Sequence, residues 1–335
     1  MMRIKTMVLS FVLMALAVGT RAQGPNNSGI YYSAADGKKG AALKTALCAV
    51  INPHTERTYK QLWTDFQSTD KKANGKVWDM YSVKREFTFG TDQAGNFSAE
   101  GDKYNREHSF PKSWFDDEDP MYTDLFHLYP TDGWVNGRRS NDPFGEVASG
   151  YSASYNNFSK WGSARSGLGY SGQVFEPNDE YKGDFARTYF YMVTCYESYA
   201  GGSKHISSWS SPMLDGNLYP GLSEWALNML MEWAKNDPVS EKEVNRNNAV
   251  YEIQDNRNPF IDYPGLEEYI WGSKKEEAFS YDNYDDPASV PFVFVETIPY
   301  GNNAPLYNTA GQRVSGTSLK PGIYIRNGKK ILINK

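Results

Sequence analysis

The stretch Tyr104–Gly145 reads YNREHSFPKSWFDDEDPMYTDLFHLYPTDGWVNGRRSNDPFG and holds two of the chain's four histidines, His108 and His127. It combines imidazoles, hard oxygen ligands and guanidinium groups, the three things that hydrolysis of a phosphodiester needs. An attacking water must lose a proton, which a neutral imidazole accepts near pH 7. Phosphorus and the departing alkoxide gather negative charge, which a cation must stabilise. Mg²⁺ takes carboxylate, amide and water oxygens, and Glu107 and Asn136 offer the first two. Arg106, Arg138 and Arg139 are suited to bidentate contact with phosphate oxygens. Each element alone has a bland explanation: a lone His in an Arg-rich loop is more often a surface residue, and Asn-Gly is more often a turn.

Outward from this stretch, the whole chain bounds the reading. Its 335 residues suffice for one large domain or two ordinary ones. Abundant Tyr and Trp suit a globular protein with aromatic-lined surfaces. At the N-terminus, Arg3 and Lys5 precede the apolar run Met7–Val18 and a small-residue site near Ala22, so residues 1–22 read as a cleaved export signal. No later run is apolar enough to span a membrane. Export permits a disulfide between Cys48 and Cys195, and two buried free thiols are the equal alternative. Charge poses a difficulty. Losing Arg3, Lys5 and Arg21 with no acid takes the formal charge from −5 to −8, and residues 310–335 hold six basic residues and no acid, leaving −14 on residues 23–309. Any basic face for a polyanion must therefore be local.

Apolar spacing predicts helices over Gly40–Ile51, Arg57–Phe66, Asp179–Tyr196 and Gly221–Ala234. On the third of these, Phe185, Tyr189 and Met192 make an apolar stripe, with Asp184 and Arg187 on another face. Ser240 and Glu243 form a capping box opening a further helix to about Gln254. Lys76–Phe89 has the aromatic and β-branched content of paired strands, and Ala148–Gly172 reads as a long loop. Residues 23–275 form the main domain, 276–303 a linker, and 304–335 a small β unit with an Asn327-Gly328 hairpin signal. That tail resembles type IX secretion sorting segments in Tyr307-Asn308…Gly311-Gln312-Arg313-Val314 and Gly322-Ile323-Tyr324. The resemblance implies engagement of secretion machinery, transit through the periplasm, and a secreted or cell-surface location.

The chain also resembles the endonuclease I family of ββα-metal (His-Me finger) nucleases. The carrying residues begin with Tyr104-Asn105-Arg106-Glu107-His108 and Pro111-Lys112-Ser113, then Asp124-x-x-His127-Leu128-x-Pro130-x-Asp132 and Val135-Asn136-Gly137-x-Arg139-x-Asn141. They continue through Phe175-Glu176-Pro177…Lys182-Gly183-Asp184-x-Ala186-Arg187, Trp233-x-x-x-Asp237-Pro238-Val239-Ser240 and Asn256-Arg257-Asn258-Pro259-Phe260-Ile261-Asp262. The resemblance implies an α+β fold: a ββα-metal core with surrounding helices, His108 on the first strand, a second strand near His127, and Asn136 on the following helix. It implies that His108 is the general base and that Glu107 and Asn136 ligate Mg²⁺, which Mn²⁺ or Ca²⁺ can replace in binding. Arg139 and Arg187 become phosphate contacts, with a structural ion pair the alternative for Arg187. His127 supports the site without reacting, and the family's preceding His is here Phe126. DNA or RNA, bound through its backbone by a monomer, would leave 5′-phosphate products.

One geometric expectation follows. Successive residues of a regular strand point to opposite faces, so Glu107 and His108 serve one phosphate only if the backbone is irregular at Glu107–Ser109 or the phosphate lies between them. The rate is expected to fall with pH through an imidazole pKa near ~6.5. Competing classes are a glycoside hydrolase, for which no acid pair stands out, and a non-catalytic adhesin on the same fold. A zinc peptidase lacks its His-Glu-x-x-His.

Overall fold

The computed structural model describes residues 25–93, 95–198 and 205–284, together with five strands after Tyr284. The expected export signal, residues 1–22, lies outside them. Helix α1 (Gly40–Ile51) matches its apolar spacing and buries Leu43, Leu47, Cys48 and Ile51. Helix α2 (Leu62–Thr69) starts later than the expected Arg57. Thr58 and Gln61 form a reciprocal cap before it, Thr58 N–H donating to Gln61 Oε1 at 2.9 Å and Gln61 N–H to Thr58 Oγ1 at 3.3 Å. Arg57 instead pairs with Asp65.

Strand β1 (Tyr104–His108) runs antiparallel to β2 (Leu128–Asp132), from Tyr104 opposite Asp132 to His108 opposite Leu128. Helix α3 (Gly133–Arg139) follows without a break. This is the β-β-α order expected around His108. Asp132 starts the helix by accepting the backbone N–H groups of Trp134 and Val135 at 2.9 and 3.1 Å. Its own N–H donates to Asp79 at 3.0 Å.

Lys76–Phe89 forms no strand; a single bridge joins Lys71 to Val77. Asp79 Oδ1 accepts the N–H groups of Tyr81 and Ser82, so the side chain turns the backbone and takes donors that a ladder would need. The segment still buries Val77, Met80, Tyr81 and Phe87. Within the expected loop Ala148–Gly172, β3 (Lys160–Ser163) pairs with β4 (Gln173–Glu176).

Helix α4 (Lys182–Cys195) is buried on every side from Gly183 onward, so the expected division into faces does not hold. Helices α1, α5 (Glu224–Asn236) and α7 (Pro259–Asp262) all pack on it, and its charged residues Lys182, Asp184 and Arg187 are ion-paired. Cys195 on α4 and Cys48 on α1 are free buried thiols, with Cys48 Sγ 3.3 Å from the Cys195 carbonyl. Helix α6 (Glu241–Gln254) opens with the expected Ser240/Glu243 capping box.

Helix α8 (Leu266–Ile270) carries the buried Glu267. Its Oε2 has no partner, and burial raises its pKa to about 7. The folded chain therefore keeps a proton that the unfolded chain releases near pH 4.5, and stability falls as pH rises between those values. The penalty above pH 7 is on the order of 3 kcal/mol. Glu267→Gln is expected to raise Tm relative to the parent at pH 8 but not at pH 4.5. Parallel Tm-against-pH curves for the two proteins would contradict it.

The chain from Glu276 to Tyr284, expected to begin a linker, is fastened to the core. Phe279 is buried, its N–H donates to Lys38 O at 2.8 Å, and its carbonyl accepts Gly37 N–H at 2.7 Å. Strand β5 (Phe292–Phe294), within the expected linker, joins β6 (Leu306–Asn308), β7 (Arg313–Val314), β8 (Gly322–Arg326) and β9 (Lys329–Ile333) of the tail in one sheet in the order β5-β9-β8-β6-β7. The β8–β9 pairing is the hairpin that Asn327-Gly328 predicts, though those two turn residues lie outside the described ones. Among the described residues no helix is long and apolar enough to cross a membrane.

Candidate active site

Helix α3 lies against one face of β1, the face that carries Asn105 and Glu107. On α3, Asn136 and Arg139 are three residues apart and so share a side. Asn136 Nδ2–H donates to Asn105 Oδ1 at 2.8 Å, which leaves Asn136 Oδ1 as the free end of its amide. Arg139 Nη1–H donates to Glu107 Oε1, and Tyr81 Oη–H reaches the same oxygen at 2.9 Å. Glu107 Oε2 has no hydrogen-bond partner among the described residues. Two hard oxygens, Glu107 Oε2 and Asn136 Oδ1, are thus left unclaimed on the same side of β1.

The opposite face of β1 carries Arg106 and His108. Arg106 stacks its guanidinium 3.5 Å from the Tyr59 ring centroid and 4.3 Å from that of Trp63. His108 lies nearly parallel to Tyr59 and to Tyr122, with centroids 5.9 and 5.1 Å away. Its Nε2 is 3.0 Å from the Tyr122 carbonyl. A carbonyl only accepts, so Nε2 carries the proton and Nδ1 holds the lone pair. Burial, with a smaller contribution from His127, pushes the His108 pKa well below the usual imidazole value. The ring is neutral at pH 7, and its protonation limb lies below the ~6.5 expected from an unperturbed imidazole. His127 is fully buried, with Nε2 2.6 Å from the Met121 carbonyl and its ring 5.5 Å from that of His108. It packs behind His108.

The expected irregular backbone at Glu107–Ser109 is found only at its last residue, where β1 has ended. Glu107 pairs with Tyr129 and His108 with Leu128 in register, and Ser109 N–H still donates to His127 O at 2.9 Å. The bend comes only at Ser109 and Phe110. Glu107 and His108 therefore leave β1 on opposite faces and share no contact. The structure places Glu107 and Asn136 on the same side of β1, each tied between that strand and α3, and His108 on the other side. Beyond a bridge between Gln93 and Tyr104, no described strand pairs with the outer edge of β1.

The two arginines expected on phosphate are placed elsewhere. Arg139 has no exposed surface. Besides Glu107, its Nη2–H donates to Ser109 O at 2.7 Å, and the guanidinium lies 4.2 Å from the Phe144 ring centroid. Burial disfavours its charge, but Tyr81 and Glu107 outweigh that and hold its pKa above the ordinary value. Arg187 is buried in a bidentate pair with Glu243, Nη2 to Oε2 at 2.9 Å, and its Nη1–H donates to Asp237 O at 2.9 Å. Both are interior ion pairs, as the alternative for Arg187 held. Reasoning from sequence missed Tyr81, Asn105, Tyr59 and Tyr122. Asn105 alone carried a signal, sitting two residues before Glu107 on the same strand face.

A hydrated divalent ion fits this donor set. One carboxylate and one amide oxygen, with water for the remaining positions, suit Mg²⁺, which dehydrates reluctantly. Among the described residues there is no group of three or more His, Cys, Asp or Glu side chains of the kind that Zn²⁺ takes.

The chain was compared with known proteins. The family model described as Endonuclease I matches residues 39–265. An extracellular ribonuclease of Bacillus amyloliquefaciens is 37% identical over 246 residues, which are 72% of this chain and 78% of that protein. One of Bacillus subtilis (strain 168) is 34% identical over 249 residues, with the same coverage of 72% and 78%. Endonuclease-1 of Buchnera aphidicola subsp. Acyrthosiphon pisum is 28% identical over 148 residues, 43% of this chain and 48% of that one.

Proposed function

This chain belongs to the endonuclease I family, and from that membership we propose that it is an exported, Mg²⁺-dependent nuclease that hydrolyses DNA and RNA phosphodiesters. The observation that carries the reading is the pairing of α3 with β1, Asn136 on Asn105 and Arg139 on Glu107, which leaves one carboxylate oxygen and one amide oxygen unclaimed on the same side of β1. The names of the Bacillus relatives, extracellular and ribonuclease, support export and extend the substrate to RNA.

In this mechanism the scissile phosphate lies along the open edge of β1, between its two faces, so that His108 meets the attacking water from one side and Glu107 with Asn136 face the phosphate from the other. Tyr122 O holds the His108 Nε2 proton, Tyr59 and Tyr122 flank the ring, and Nδ1 accepts a proton from water as its oxygen attacks phosphorus. The P–O3′ bond breaks and a 5′-phosphate remains. Tyr81 and Arg139 hold Glu107 Oε1, while Asn105 fixes which end of the Asn136 amide faces outward. Mg²⁺ bound to Glu107 and Asn136 would supply charge stabilisation for the phosphoryl oxygens and the leaving oxygen.

The test is incubation of purified protein with plasmid DNA and with RNA. Both polymers are expected to be cut with Mg²⁺, to survive in EDTA, and to be cut again when Mg²⁺ is restored in excess. Cleavage indifferent to EDTA would remove the metal from the mechanism, and no cleavage of either polymer would overturn the reading.

A further inference from the structure

Next to the two hard oxygens, α3 presents a second side to solvent. Trp134 and Arg138 are four residues apart and share that side. Trp134 is 37% exposed. Arg138 is exposed and makes no ion pair among the described residues; its guanidinium lies 5.9 Å from the ring centroid of Trp161. The Trp161 indole N–H donates to Asp142 Oδ2 at 2.7 Å, which fixes the ring. Trp161 itself is half-buried, one side of its ring packed against the core.

The strip continues past the start of α3. Lys84 Nζ sits 4.5 Å over the ring of Tyr155, which is 46% exposed. Glu100 accepts the Tyr155 N–H at 2.8 Å, and the neighbouring Gly101 N–H donates to Asp132, the residue that caps α3. An exposed ring, Trp134, and a guanidinium set against a ring, Arg138 by Trp161, therefore share the outward side of the helix that carries Asn136, and Tyr155 with Lys84 is tied to its N-terminal cap through Glu100 and Gly101.

A large ring left in water beside an unpaired guanidinium suits a contact surface. The rest of the chain is acidic, so cations seated among rings select a ligand that is both anionic and aromatic. Nucleic acid is that ligand: a phosphate meets Arg138, and base faces meet Trp134 and the open side of Trp161. In a duplex the base faces are already stacked on one another, so only unpaired bases can use the rings.

The geometry points to a stacking subsite for unpaired nucleobases on Trp134 and Trp161, with Arg138 on the adjoining phosphate, that makes single-stranded nucleic acid the preferred substrate. The subsite rests on the nuclease reading for the identity of the polymer, but it binds without cleavage and is measured apart from it. Because every base has a stacking face, the preference is for single strands and not for a base.

The experiment is equilibrium binding in EDTA, followed by tryptophan fluorescence and by anisotropy of a labelled oligonucleotide, with a single strand compared against a duplex of the same length. The single strand is expected to bind more tightly and to quench the fluorescence. Trp134→Ala and Arg138→Gln should each weaken single-strand binding on the order of ten-fold while changing duplex binding far less. Trp134→Phe keeps a flat ring and should recover most of the loss. Equal losses on single strand and duplex, or no loss on either, would overturn the subsite. Normal discrimination in EDTA with no cleavage in Mg²⁺ would uphold the subsite and sink the nuclease reading alone.

Discussion

His108→Ala is expected to lower the rate of phosphodiester cleavage on the order of 10²–10⁴-fold and to leave substrate binding nearly unchanged. The size of the effect follows from how the ring is held. Tyr122 O takes Nε2–H, so one nitrogen is committed and Nδ1 is the acceptor. Burial keeps the ring neutral, which is the form that accepts a proton. His127, the nearest other imidazole, cannot stand in for it: the ring is wholly enclosed and its Nε2 is held by the Met121 carbonyl. Single-turnover cleavage with saturating Mg²⁺ measures the first quantity and equilibrium binding in EDTA the second. A variant that still cuts at the parent rate would take His108 out of the reaction. The pH profile adds a sign. Activity is lost only as pH falls through the lowered pKa, so the parent should keep its rate well below the ~6.5 of an unperturbed imidazole.

Local chemistry was readable from the sequence, and burial was not. The Ser240/Glu243 capping box and the Gly40–Ile51 periodicity depend on residues within a turn or two of each other, and both stand in the structure as read. The order of β1, β2 and α3 followed from the resemblance carried by one contiguous stretch. Lys76–Phe89 misled because its aromatic content is that of a strand, whereas a single carboxylate, Asp79, takes the backbone donors and turns the chain. Arg139 and Arg187 misled for another reason: a motif records that a guanidinium is present and says nothing of which way it faces. For Arg139 the helical period held a clue. Val135 and Arg139 are four apart, as are Trp134 and Arg138, so if Val135 faces the core then Arg139 does too and Arg138 faces out. Tyr81 had no such signal, since only the tertiary fold brings it to Glu107.

Arg139→Met tests whether that buried guanidinium is part of the site or merely under it. The substitution keeps the volume roughly but leaves the Glu107 carboxylate inside the protein without its counter-charge, and it removes the donor to Ser109 O. Breaking such a pair costs roughly 3–5 kcal/mol. At about 2–4 °C per kcal/mol for a domain of this size, Tm should fall on the order of 10 °C. Cleavage should fall as well, because Glu107 Oε1 then rests on Tyr81 alone and the carboxylate is free to turn. A purely structural role predicts the first loss without the second in molecules that remain folded. Glu107→Gln in the Arg139→Met background separates the two: with no unpaired charge left inside, part of the Tm should return, yet cleavage should stay lost, since a neutral amide replaces the carboxylate that faces the metal. The double-mutant cycle on Tm then gives the coupling of the pair. If Arg139→Met kept the parent Tm and the parent rate, the clamp between α3 and β1 would be holding nothing that the reaction needs.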